Sequence, residues 1–300
     1  VDPRIENSEG GTLSSYVGVR VKGNSNGFSG GYRSSYHSIG CAGVGNQGDE
    51  MQREYWSMPA RDASELPSPA AVGRRAGERT LRRLGTRRLS TRQAPVIIAA
   101  ETAGSLFRNF IQAITGSALY RKSSFLLDHL GKQVFPEFIH IHEQPHLPKG
   151  LGSAPYDAEG VATAARDIVR DGVLQGYVLN SYAARKLGME TTGNAGGVHN
   201  LTIEPGDKDL DALLHTMDNG LLVTEFIGFG VNIITGDYSR GAAGFWVENG
   251  EIQYPVDEIT VAGNLRDMFT GIAEVGNDVD LRGNIRSGSV LIENMTIAGS

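Results

Sequence analysis

His142-Glu143-Gln144-Pro145-His146 spells H-E-x-x-H. In zinc peptidases a helix sets two such histidines one turn apart on the metal, and the glutamate handles the bound water. The chemistry therefore needs a helix. Here Pro145 stands between the ligands, and proline inside a helix removes an amide donor and clashes one turn back, a cost of about 3 kcal/mol. Pro136 and Pro148 flank the segment, and Phe138-Ile139-His140-Ile141-His142 alternates as a strand does. The plain expectation is histidines facing solvent at a strand end. A strand puts His140 and His142 on one face, so a stand-alone zinc peptidase built on His140, His142 and His146 stays open as the alternative.

Other motifs lack their frames. Gly23-Asn24-Ser25-Asn26-Gly27 matches the G-x-S-x-G nucleophile elbow, but strand follows strand where the elbow needs strand then helix. Asn and Gly there suit a hairpin turn. Gly43-Val44-Gly45-Asn46-Gln47-Gly48 matches G-x-G-x-x-G without a βαβ frame and reads as a loop. Arg74, Arg75, Arg79, Arg82, Arg83, Arg87, Arg88 and Arg92 form one strongly basic stretch. It could face phosphates, or it could lay arginine stems over apolar surface on a solvated helix side. Cys41 has no base beside it in sequence and reads as a buried structural thiol.

Composition bounds these readings. With 300 residues, 40% of them hydrophobic, the chain can bury a sizeable core. Its 40 glycines are about twice the usual share, which fits many tight turns. The net charge of -6 argues against a general nucleic-acid binder. A single cysteine excludes an internal disulfide and suits the cytoplasm. No apolar run is long enough to span a bilayer, so no membrane association is expected. The chain opens Val-Asp-Pro-Arg and enters a strand pattern by Ile5, which reads as a fragment lacking an upstream segment.

The elements that must position any site follow from periodicity. Ile5 to Val44 reads as strands around a turn at 23–27, and 45–67 reads as irregular. Ser68-Pro69 starts a helix that runs to about Leu84, where Gly85 stops it. Ala94–Ala99 is a short buried strand. Residues 101–115 form an amphipathic helix with Ala103, Leu106, Phe107, Phe110, Ile111 and Ile114 inward. Further helices are expected at 123–130, 181–187, 207–217 and 264–270. Strands are expected at 221–227, 231–235, 289–292 and 295–298, with a hairpin turn at Asp171-Gly172. Hairpins dominate, so the fold class is α+β, with mainly antiparallel sheets and packed helices. The expected organisation is a β-rich hairpin segment over 1–67 and an α+β body over 68–300.

Gly236 to Leu265 is the most informative run. Gly244–Glu248 is an aromatic, β-branched strand, and Asn249-Gly250 suits a type I′ turn. Glu251–Tyr254 returns with alternation, and Pro255 must end the strand or sit on an edge. This run resembles the C-terminal signature of the TldD/PmbA family, on its PmbA (TldE) side, historically called a modulator of DNA gyrase. The resemblance extends through Tyr120–Leu126, Pro145–Ser153, Ser181–Gly188 and Gly193–Asn200. It implies an additional N-terminal α+β segment in full-length members. TldD-type members carry an H-E-x-x-x-H helix and a late Cys ligand. The matching residues here are Ala100, Glu101 and Ser105, with no Cys in Glu274–Asp278. The glutamate survives, but neither alanine nor serine supplies the imidazole that zinc favours. The resemblance thus implies a subunit with no catalytic residue, metal or cofactor of its own, paired with a TldD-like metallopeptidase. The substrates implied are unfolded peptides, as in microcin leader removal and antitoxin turnover. The chain alone is expected to dimerise. Asp237, Ser239 and Arg240 are the candidates for a peptide groove, where an extended peptide could add as a strand. A non-enzymatic gyrase or DNA binder using the Arg-rich helix is the remaining alternative.

Overall fold

The computed structural model describes residues 1–299. The chain divides into two compact units. The first comprises Val1–Arg87 with a short return, Lys149–Leu151. It is a three-stranded antiparallel meander: β1 (Ile5–Gly23), β2 (Ser29–Gln47) and β3 (Glu50–Ala60), in that spatial order. The G-x-S-x-G match lies in the β1–β2 turn, where Asn24 Oδ1 accepts from Asn26 N and Phe28 N. The G-x-G-x-x-G match is the end of β2 and its turn. The irregular stretch expected over 45–67 is instead mostly β3. Its polar face misleads, because only one side of the meander is covered.

Helix α1 (Pro69–Arg82) supplies that cover. Ser68 caps it, accepting from Ala71 N, and Pro69 takes the first position. Its Thr80 side chain fits over Gly43 and Gly45 of β2, where an added Cβ would lie only 3.0–3.1 Å from it. Arg75 and Arg79 stack on Trp56 at 5.4 and 5.3 Å, and Arg79 pairs with the buried Glu54 at 2.9 Å. These members of the basic stretch are therefore committed to the sheet, Arg83 is buried, and Arg92 stacks on Trp246 at 4.7 Å, so the run is not one free basic face. The unit continues to Arg87, since α1 packs on β2 and β3. Cys41 is half-buried, opposite Trp56 in the ladder, not the fully buried thiol expected.

The second unit comprises Arg88–Pro148 and Gly152–Ser300. In chain order it holds β4 (Arg92–Ile98), α2 (Ala100–Ala113), α3 (Gly116–Tyr120), β5 (Ile141–Glu143), β6 (Arg166–Arg170) and β7 (Val173–Leu174). Then follow α4 (Ser181–Leu187), β8 (Leu201–Ile203), α5 (Leu210–Met217), β9 (Gly220–Ile227), β10 (Asp237–Glu248) and β11 (Glu251–Asn264). The unit ends with α6 (Leu265–Thr270), β12 (Ile272–Val275), β13 (Ile285–Arg286) and β14 (Val290–Ala298).

The larger sheet runs β11-β10-β9-β4-β14-β12, and β11 also pairs with β14. That extra pairing closes five strands into a barrel, which removes most open edges. Only β4 and β9 pair in parallel within it. A smaller sheet runs β13-β8-β5-β6-β7. The fold is α+β with mainly antiparallel sheets, as the hairpin signals require. Asn249 and Gly250 both take positive φ, 54° and 75°, and Asp171-Gly172 repeats the device at 52° and 71°. Strand β11 runs on past Pro255 to Asn264; it meets β14 only from Thr260, so the proline sits where no second ladder needs its amide.

Strand β4 shows why the core holds. Val96 and Ile98 join the main core, while Ile97 packs with Leu213, Met217 and Phe245 on the opposite face. Phe107, Phe110, Phe125, Phe135 and Phe269 form an aromatic cluster, with Phe110 and Phe135 edge-to-face at 4.9 Å. Two expectations fail. Residues 123–130 are turns, since Lys122 and Asp128 take positive φ of 58° and 57°. Of 231–235 only Val231 bridges, to Tyr238, and the rest is a turn. No helix among the described residues is long and apolar enough to cross a membrane.

Candidate functional site

The two segments that could have held a metal differ in geometry. In the first, strand β5 carries His142 and Glu143. Alternation sends them to opposite faces. Glu143 is 2% exposed and accepts from Arg166 Nε at 3.0 Å, Asn194 Nδ2 at 2.7 Å and the amide of His199 at 2.6 Å. Its carboxylate is fully used as a strut. His146 Nε2 bonds Thr163 Oγ1 at 3.1 Å, and that hydroxyl gives its own proton to Ala154 O at 2.6 Å. His146 Nε2 is therefore a donor with no lone pair for a metal. His140 and His142 do share a face, their rings 5.9 Å apart. His140 Nε2 is bonded to Asp167 at 3.1 Å, and Arg170 pairs with the same carboxylate. Burial of Asp167 works to raise its pKa, but Arg170 and His140 outweigh it and hold the group below its ordinary value.

The second segment opens α2. Ala99 precedes it and offers no side-chain cap. Ser289 Oγ instead accepts from Ala100 N at 3.0 Å and donates to Asp278 Oδ2 at 2.6 Å. Asp278 belongs to the late stretch Glu274–Asp278, so the tertiary structure brings 274–278 and 100–105 together through Ser289. Glu101 lies 3.5 Å from the guanidinium of Arg282, which also grips Asp280 at 2.6 Å. All three side chains are about one fifth exposed. Ser105 Oγ lies 3.5 Å from Arg240 Nη1. A guanidinium thus stands beside each polar residue of the motif. Among the described residues no three His, Cys, Asp or Glu side chains are placed to hold a metal ion.

The expected groove residues lie at the start of β10. Arg240 stacks on Phe226 at 4.7 Å and donates to Gly228 O at 3.2 Å. Asp237 turns away, taking the Thr235 hydroxyl at 2.6 Å, while Ser239 is exposed. Arg240 and Ser105 are therefore brought together and Asp237 is not. Both ladder edges here are occupied: β11 pairs one side, and on the other Ser239 N donates to Gly230 O at 2.6 Å. An added peptide strand has no free edge at 237–240, contrary to the expected mode of binding. Tyr238, 1% exposed, lies beside Arg240, and its hydroxyl finds no acceptor among the described residues. Burial pushes its pKa up to about 12, with Arg240 pulling the other way.

Sequence reasoning missed Arg282, Tyr238 and Phe229. Phe229 is fully exposed between Gly228 and Gly230, and Ile227 and Ile234 on the same 227–236 loop are at least half exposed. A phenylalanine flanked by glycines within an apolar run was the available signal.

The site is that of an α+β protein in which helix α2 opens on Ala100-Glu101 and carries Ser105 one turn on, with an arginine beside each polar side chain. Residues 91–299 match the PmbA/TldA metallopeptidase C-terminal domain, and residues 1–84 match the central domain of the same family. The chain is 53% identical over 298 residues to the metalloprotease PmbA of Escherichia coli O157:H7, covering 99% of this chain and 66% of that protein. A crystal structure from Bacteroides thetaiotaomicron, described as a proposed modulator of DNA gyrase, superposes with a TM-score of 0.94 at 33% identity over 100% of this chain and 68% of that one. TldE from Thermococcus kodakarensis shares the fold, with a TM-score of 0.85 at 23% identity over 96% of this chain and 69% of that one. The chain belongs to the PmbA/TldD family. It spans about two thirds of the length of the relatives it matches. The family description implies a metal, and the residues at the helix start do not fit one. Two of three positions carry no ligand atom of the right type, and Glu101 faces a fixed cation.

Proposed function

We propose that this chain acts as the metal-free, PmbA-type (TldE-like) subunit of a cytoplasmic two-subunit peptidase, orienting unfolded peptides for a TldD-like partner that holds the zinc. The observation that supports this most directly is Arg282 against Glu101 at 3.5 Å at the start of α2. A guanidinium there neutralises the one surviving carboxylate and repels a divalent cation. The helix keeps its place while its chemistry moves to the partner. Positioning of a peptide by such a subunit can contribute as much as about 7–11 kcal/mol to lowering a reaction barrier.

Arg240 and the exposed Ser239 remain the groove candidates, with the exposed Phe229 as an apolar contact, while Asp237 is held by Thr235. Peptide would be held there by side chains, since the ladder edges are taken. The test mixes the full-length subunit with its TldD-like partner and follows cleavage of an unstructured peptide. Chelator-sensitive cleavage should require both chains. It should vanish when the partner's ligands are replaced, persist in His142→Ala, and fall in Arg240→Ala. Stoichiometric zinc in the isolated subunit, with cleavage by it alone, would overturn the reading.

A further inference from the structure

The two faces of the smaller sheet differ in how their polar groups are satisfied. On the inner face Ile141 and Leu201 are fully buried, Ile285 packs against the core, and Glu143 spends its carboxylate on three donors. On the outer face, cross-strand register sets Arg286 of β13 beside Thr202 of β8, and Thr202 beside His142 of β5. Residues directly opposed across strands share a face, so the three form one row over three strands. Each is half-buried, and none has a hydrogen bond or ion pair among the described residues. Beyond His142 the row is closed, because its register partner Asp167 is held by His140 and Arg170.

Arg286 is the unusual member. Its Nε is closed off without an acceptor, which leaves the two terminal nitrogens of the guanidinium open. Burial lowers its pKa, and no carboxylate works against that. Burying a guanidinium without an anion costs free energy, and an anion supplied from outside recovers part of it.

Spacing and charge indicate which anion. Neighbouring strands lie about 4.8 Å apart, so the backbones at Arg286 and His142 are about 10 Å apart with Thr202 midway. That span, less the reach of an arginine and an imidazole, fits one small oxyanion over Thr202. The two terminal nitrogens of a guanidinium match the two oxygens of a carboxylate, and the Thr202 hydroxyl and one His142 N–H can donate to the remaining lone pairs. Arg170 is spent on Asp167, and Glu204, whose side chain is 60% exposed, lies 4.0 Å from His140 on the same face. Arg286 thus brings one unspent charge beside an acidic neighbour, which suits a singly charged carboxylate better than a dianionic phosphate. We propose that Arg286, Thr202 and His142 form a carboxylate-binding row on the outer face of the smaller sheet.

Calorimetric titration of the isolated chain at fixed ionic strength tests this. The probes are acetate, inorganic phosphate, and a short unstructured peptide without acidic side chains, its C-terminus free or amidated. Acetate, the free peptide or both should bind saturably. Arg286→Gln should weaken that binding by at least about 10-fold, as loss of a charge-assisted fork does. Thr202→Val should weaken it about 5-fold, and Arg286→Lys, which keeps the charge without the fork, should fall between the parent and Arg286→Gln. The thermal midpoint of Arg286→Gln should equal or exceed the parent's, since an unpaired cation is removed, whereas a purely structural guanidinium would lower it. Tighter binding of the free peptide than of acetate, with the amidated peptide silent, identifies a chain terminus as the source of the carboxylate. Acetate binding at least as tightly as the free peptide identifies a small acid. Tighter binding of phosphate than of either carboxylate would overturn the proposal. So would the absence of saturable binding, binding that both Arg286→Gln and Thr202→Val leave intact, or a lowered thermal midpoint in Arg286→Gln. No TldD-like partner and no cleavage enter these readouts, so this inference and the proposed function can fail separately.

Discussion

His142–His146 spells a zinc motif and Ala100–Ser105 does not, yet only the second lies on a helix. The letter-perfect motif sits on a strand end, where alternation turns Glu143 inward to Arg166 and leaves His142 on the other side. The degenerate motif keeps the helix, a buried aromatic face behind it and a late segment folded against it. It offers no imidazole, and arginines stand beside Glu101 and Ser105. Ligand chemistry depends on the direction of lone pairs, and direction comes from the element, so matching letters without the element carry no metal site.

The largest effect that could break this comparison lies in the strand motif. Glu143→Ala leaves Arg166 partly buried without its carboxylate and three donors without their acceptor, and should destabilise the chain by about 3–5 kcal/mol. Chemical denaturation would show it. A loss under about 1 kcal/mol would mean that Glu143 is not a strut and would reopen the reading of it as the glutamate that handles a metal-bound water. Glu101→Ala, by contrast, removes a longer contact from a guanidinium that still has Asp280, so its cost should be roughly 1 kcal/mol or less.

Alkaline titration sharpens the picture beside the helix motif. The folded pKa of Tyr238 is raised, from 10.0 to about 12. The associated stability is fully present below the unfolded value near 10 and is lost as pH rises toward 12, a loss of roughly 2–3 kcal/mol. Absorbance of ionised tyrosine should show one group titrating late or only on unfolding, and Tyr238→Phe should remove that component. Normal titration of every tyrosine would place Tyr238 in contact with water.

Metal binding asks whether arginine or missing imidazoles silences the helix motif. Ala100→His with Ser105→His should gain little zinc affinity while Arg282 is present. Adding Arg282→Ala should then tighten it by about 10-fold or more, read by competition with a chromogenic chelator. Equal affinity in both backgrounds would show that Arg282 is a bystander. The smallest effects belong to the histidines of the strand motif. His142→Ala should change stability by about 0.5 kcal/mol or less and leave metal content unaltered. His146→Ala should cost about 1 kcal/mol through the lost Thr163 contact.

Much of the fold was legible because local rules agreed with it. Asn249-Gly250 and Asp171-Gly172 turn as their positive φ tolerance dictates, and Ser68-Pro69 and Gly188 mark helix ends. Legibility failed where a partner strand decided the outcome. Strand β3 looks irregular because its pairing with β2, not its own pattern, makes it a strand. The 123–130 segment has helix-like apolar spacing but sits among residues forced to positive φ.

The candidate site divides in the same way. Residue identity alone determined that Ala100 and Ser105 offer no imidazole and that Pro145 breaks the other motif's helix, because these are properties of single side chains and of one ring. Only the tertiary structure decided that Arg282 meets Glu101 across 181 residues of chain and that Arg240 meets Ser105 across 135. It also decided that β11 closes on β14, and that 237–240 lies between β11 and the returning Gly230–Asn232 stretch, without an edge for an added strand. Such pairings depend on the path of the chain through a closed sheet, and no local periodicity encodes that path.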